Sequence, residues 1–123
     1  QRREWECGQD RESAARSFLP RRFFNLGHKL RLVDGEHDLF GDGSVWAIAS
    51  PGHTPGTTAY LVRTPSGAVL LTGDACHTRI GWERSIEPGS FSSDQPQSRE
   101  SLLALKALVE RHPAIDVRLG HQR

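Results

Sequence analysis

Ser50-Pro51-Gly52-His53-Thr54-Pro55-Gly56 is the stretch whose reading decides the fold. Its histidine is fenced by prolines, which restrict the backbone, and by glycines, which let it turn sharply and approach closely. The loop follows an apolar run, Val45–Ala49. A second apolar run, Ala68–Thr72, ends in Gly73-Asp74, and a third, Ala114–Leu119, ends in Gly120-His121. Each strand-like run therefore delivers a metal-competent side chain just past its end, with glycine beside it. Imidazole and carboxylate are donors for zinc and other borderline divalent ions. Repeated at equivalent positions, they point to a single site at one edge of a sheet.

Working outward, Lys29–Val33 alternates and predicts a strand, followed by a turn at Asp34-Gly35. Leu39-Phe40 starts a short extended piece, and Gly41-Asp42-Gly43 is a hairpin turn. That Gly-x-Gly has neither the third glycine nor the helix of a dinucleotide loop. Thr57–Arg63 is β-rich, and Pro65-Ser66-Gly67 turns it into Ala68–Thr72. These spacings predict an antiparallel meander. Residues 77–96 are rich in Gly, Ser and Pro and read as a long loop carrying Trp82 and Phe91. Asp94 or Ser98 caps an amphipathic helix built on Leu102, Leu103, Leu105, Ala107, Leu108 and Val109, which ends near His112-Pro113. Upstream, Arg2–Glu6 and Arg11–Leu19 look partly helical, ended by Pro20, with Phe23, Phe24 and Leu26 as a packing segment.

The 123 residues are enough for one modest core. Net charge is +1, and the scattered arginines form no run long enough for a nucleic-acid patch, so no nucleic-acid partner is expected. No stretch reaches transmembrane length, so no membrane partner is expected either. Cys7 and Cys76 are the only cysteines and are expected to stay reduced, as in a cytoplasmic enzyme. Cys76 reads either as a small buried residue beneath the Asp74 loop or as a soft extra ligand. No Gly-x-Ser-x-Gly elbow is present, so covalent serine catalysis is not supported.

Pro51-Gly52-His53-Thr54-Pro55-Gly56, with Thr72-Gly73-Asp74-Ala75 and Gly120-His121, resembles the metallo-β-lactamase-fold hydrolases, and within them the branch of the quorum-quenching lactonases. The resemblance runs from about residue 30 to the end. It implies an α+β fold, part of a four-layer αββα sandwich with metals at one rim. It implies that His53 binds the first metal, that Asp74 bridges both, and that His121 binds the second. It also implies a zinc pair whose metal-bound hydroxide attacks a lactone or ester. The same fold also serves thioester, phosphodiester or nucleic-acid substrates, and a metal-free binding module is the remaining alternative. The partner implied is a small-molecule substrate, and a homodimer stays open. Phe18, Phe23 and Phe24 line an acyl pocket or simply pack the core. Trp82 and Phe91 either close over substrate or anchor their loop.

The chain departs from that family in two places. The upstream His-x-His-x-Asp-His motif is absent, and the remaining histidines, His28, His37, His77 and His112, are not so spaced. His28, His37 and His112 read as surface or turn residues. The first metal would then see His53 and Asp74 alone, and the second Asp74 and His121 alone, fewer than the roughly three protein ligands a zinc site needs. Read with the absence of Met and the start at Gln1, this predicts that residues 1–123 are the C-terminal part of a single larger domain, inactive alone and exposing apolar sheet surface. The second departure is His77, where relatives that open acyl-homoserine lactones usually carry Tyr three residues after the bridging Asp. The resemblance implies that His77 contacts the substrate carbonyl, where an imidazole N–H can donate to a developing oxyanion.

Overall fold

A computed structural model describes residues 1–10 and 30–121. In it, β1 (His37–Asp38), β2 (Val45–Ala49), β3 (Thr58–Thr64), β4 (Gly67–Leu71) and β5 (Asp116–Arg118) form one sheet in sequential order. The first four strands pair antiparallel. The turn between β1 and β2 closes on the Asp38 carboxylate, which accepts from the backbone N–H groups of Phe40, Gly41 and Gly43. β5 instead runs parallel to β4, with Leu70 opposite Val117. Parallel neighbours need a long crossover, and here it is the helical segment after β4. The meander read from sequence is therefore completed by a mixed edge.

Among the described residues, three α-helices accompany the sheet: α1 (Arg2–Gln9), α2 (Arg79–Arg84) and α3 (Gln95–Arg111). Asp94 caps α3 by accepting from Gln97 N–H, so the cap is Asp94 and not Ser98. Ser98, Leu102 and Leu105 are the buried residues of α3, one stripe of its surface. Leu105 packs with Ala59, Leu70 and Ala75, and Ile48, Leu61, Trp82, Val109 and Ile115 surround that cluster. Leu70 and Leu102 are wholly buried, each contributing about 1.5–3 kcal/mol relative to an exposed side chain.

Residues directly opposite in a sheet share a face. Ala59, Leu61 and Leu70 therefore sit beneath α3, while Ala47, Tyr60 and Leu71 belong to the other face. Tyr60 and Leu71 stay 39% and 41% exposed there. An apolar surface on that side is what half of a sandwich would show. No helix among the described residues is long and apolar enough to cross a membrane.

The sequence reading needs correction in two segments. Leu30–Val33 is not a strand; the Val33 carbonyl accepts from Arg2 N–H at the start of α1 and not from a sheet neighbour. Residues 77–96 are not one loop, because α2 and a 3-10 turn at Gly89–Phe91 lie inside them. Thr78 caps α2 by accepting from Gly81 N–H, and Ser85 ends it in the left-handed conformation at φ 55°. Lys106 on α3 then donates to the Trp82 carbonyl and the Ser85 hydroxyl, holding α2 down by its C-terminal end. Trp82 accordingly packs against the core and does not close over a site. The expected helix over 11–19, the Phe18, Phe23 and Phe24 pocket and His28 fall outside the described residues.

Candidate metal centre

The three segments singled out in the sequence do converge at one end of the sheet. The His53 loop leaves β2 and docks onto the start of α3. Gly52 has φ 131°, and a Cβ there would overlap the backbone of Ser98. Only glycine permits both that conformation and that approach. The anchors are hydrogen bonds: Asp94 N–H and Ser93 Oγ to the Gly52 carbonyl, Ser93 N–H to the His53 carbonyl, and Ser101 Oγ to the Pro51 carbonyl at 2.7 Å. On the other side, the Glu4 carboxylate of α1 accepts from Gly56 N–H at 2.9 Å. His53 ends up only 6% exposed.

Asp74 lies in a 3-10 turn, Gly73–Ala75, directly after β4, with Gly73 at φ 53°. Thr72, wholly buried, braces the turn by donating Oγ1 to the Cys76 carbonyl at 3.0 Å. β5 delivers His121 through Gly120, whose N–H donates to the Cys76 carbonyl while His121 N–H donates to the His77 carbonyl. A Cβ on Gly120 would overlap the Gly73 carbonyl, so glycine is what lets this segment lie against the Asp74 turn.

The Asp74 carboxylate is the hub. Its Oδ2 faces His53 Nε2 at 3.9 Å, and its Oδ1 faces His121 Nε2 at 3.0 Å and His77 Nε2 at 3.4 Å. His53, Asp74 and His77 each offer a ligand atom within 4.8 Å of the other two. The His77 ring stacks on His121 at 3.9 Å and stands edge-on to His53 at 5.4 Å. Burial, with His121 close by, pushes the His77 imidazole below its ordinary range, against the pull of Asp74. That shift favours the neutral form, in which histidine binds metals.

Buried polar atoms are normally hydrogen-bonded, and one left without a partner is costly. His77 Nε2 is buried and forms no well-made hydrogen bond, since Asp74 Oδ1 stands beyond good distance. A metal ion would satisfy that lone pair and would bind the carboxylate as well. Imidazole with carboxylate suits zinc and its neighbours better than magnesium or calcium, which take oxygen donors. The residues therefore fit a divalent metal.

Cys76 stands apart from that donor group. It is wholly buried, its Sγ reaches the Thr78 carbonyl at 3.5 Å, and burial pushes its thiol pKa up. It is the small buried residue beneath the loop, and Cys7 is not joined to it in a disulfide. His112 caps α3 and is exposed, whereas His37 is half-buried in β1 with its Nε2 covered. Beside His77 lies a cleft of about 280 Å³, lined also by Ile80, Ile86, Pro88 and Phe91, with Phe91 75% exposed. The sequence did not announce the α3 anchors, because Ser93 and Ser101 look like ordinary loop and helix serines.

No family model matches the chain. It is 42% identical over 90 residues to the N-acyl homoserine lactonase AttM of Azorhizobium caulinodans, covering 72% of this chain and 34% of that protein. It is 34% identical over 123 residues to an N-acyl homoserine lactonase of Bacillus cereus, covering 98% of this chain and 45% of that protein. A solved N-acyl homoserine lactone hydrolase, with the product N-hexanoyl-L-homoserine at its catalytic metal centre, superposes with TM-score 0.81 at 26% identity, over 98% of this chain and 44% of the other. The chain thus belongs to the metallo-β-lactamase-fold metallohydrolases. Within them it lies on the lactonase-like branch, and it spans less than half the length of each of these relatives.

Proposed function

We propose that the protein carrying this chain is a metal-dependent hydrolase that opens a lactone or ester bond in a small molecule. The observation that carries this reading is the Asp74 carboxylate, which offers one oxygen to His53 and the other to His121 and His77. Zinc is the ion best matched to these donors. In this reading His53 and His121 are ligands on opposite sides, and Asp74 is the ligand they share. A metal pair bound there supplies Lewis-acid polarisation of a carbonyl and a water acidic enough to act at neutral pH. The chain's own contribution is placement. The α3 anchors fix His53, and the Gly73–Gly120 contact sets His121 against Asp74. Asp74 and His121 keep 45% and 59% of their side chains open, which leaves the approach to the carboxylate free. The apolar cleft beside His77 would take the apolar part of a substrate.

The test is a substrate panel on the zinc-loaded protein expressed from its whole reading frame, with N-acyl homoserine lactones, simple esters, thioesters and a phosphodiester, following acid release. Lactone or ester turnover that vanishes with a chelator and returns with zinc is the expected result. Turnover of the phosphodiester or thioester alone would move the protein to another substrate class. Metal-independent turnover, or no bound metal at all, would reject the reading.

A further inference from the structure

We propose that His77 is itself a metal ligand, so that His53, Asp74 and His77 give this chain a three-donor set of its own; this rests on the metal-site reading above. The role first expected for His77, a hydrogen bond to the substrate carbonyl, needs a ring N–H turned toward open space. The Nε2 atom does not face that way. It is buried, faces the Asp74 carboxylate at 3.4 Å, and lacks a well-formed hydrogen bond. It belongs to the same group, within 4.8 Å, as donor atoms of His53 and Asp74.

The ring has little freedom to turn elsewhere. It is stacked almost parallel on His121, with 7° between the planes, and stands at 76° to His53. Its own backbone carbonyl is fixed by His121 N–H at 3.1 Å. Cys76 and Thr78 flank it in a well-anchored path, since Thr72 holds the Cys76 carbonyl and Thr78 caps α2. A side chain held this firmly with a covered lone pair is placed for coordination. A two-donor half-site would be too poor to hold zinc, and a third donor reaches the usual minimum of about three protein ligands.

The experiment is X-ray absorption at the zinc edge, with metal affinity by competition, on the protein expressed from its whole reading frame. The parent is compared with His77→Gln, His77→Tyr and Asp74→Asn, with circular dichroism reporting the fold. Both His77 variants are expected to lose one imidazole scatterer per site and to weaken zinc binding by about tenfold or more, since even outer partners of metal ligands cost about 10–100-fold. An unchanged imidazole count and affinity in either folded His77 variant, with Asp74→Asn still weakening zinc, would overturn the role of His77 and leave the metal site standing. No zinc binding by the parent, or no effect of Asp74→Asn, would overturn both.

Discussion

His53 and His121 reach the same carboxylate from loops made in different ways. His53 is 6% exposed, and its loop is tied to α3 by hydrogen bonds from Ser93, Asp94 and Ser101 and to α1 through Glu4. His121 is 59% exposed in its side chain and rests on the backbone pairing of Gly120 and His121 with Cys76 and His77. The first is fixed by packing, so any added atom must displace the helix. The second is fixed by backbone pairing, and an added atom at Gly120 meets the Gly73 backbone, but Gly120 lacks the left-handed φ that strains Gly52 as well. The His53 side is therefore the buried and more constrained part of the centre, and the His121 side is the open part.

The largest effect is expected at the residue common to both sides. Asp74→Ala should lower kcat/KM of the whole protein on the order of 10⁴-fold, the scale seen when a member of an interdependent catalytic set is removed. Steady-state kinetics with metal analysis checks this, and it should leave folding nearly intact because Asp74 is half exposed. Gly52→Ala comes next, as a stability effect. It adds a Cβ at φ 131° into the Ser98 backbone and should cost about 3–5 kcal/mol in denaturant unfolding. Gly35→Ala is the matched control. Its φ is 65° but nothing lies within 4 Å, so strain alone should cost about 1 kcal/mol.

On the other side, Gly120→Ala pushes against the Gly73 carbonyl. It should cost about 1–3 kcal/mol, less than Gly52→Ala because no left-handed φ is added to the clash, and weaken zinc by about 10–100-fold by misplacing His121. A stability loss as large as that of Gly52→Ala would break the contrast between the loops. The smallest effect is expected for Ser101→Ala. It removes the hydroxyl that holds the Pro51 carbonyl and should cost about 0.5–1.5 kcal/mol, measured by thermal unfolding.

What the sequence made legible was punctuation. Glycine and proline around His53, and glycine before Asp74 and His121, marked the strand ends that meet at the site. The leucines of α3 and the turn chemistry of Gly41–Gly43 were equally direct. Features set by distant partners were hidden. Leu30–Val33 alternates like a strand, but its carbonyl is taken by α1, far away in sequence. α2 was masked by Gly81 in its middle, which is there because a Cβ would come within 2.9 Å of the Ile86 carbonyl. The direction of β5 depends on the crossover through α3, which no local pattern encodes. His77 could be seen as an imidazole near Asp74, but its stacking on His121 needs the tertiary fold.

The account rests on Asp74 as the ligand shared between the two sides. The most direct measurement is an anomalous difference map at the zinc edge from crystals of the zinc-loaded protein. The expected result is a pair of peaks about 3.5–4 Å apart, both within bonding distance of the Asp74 carboxylate, one of them shared with His53 and His77 and the other with His121. A map with no peak within bonding distance of Asp74 would contradict it.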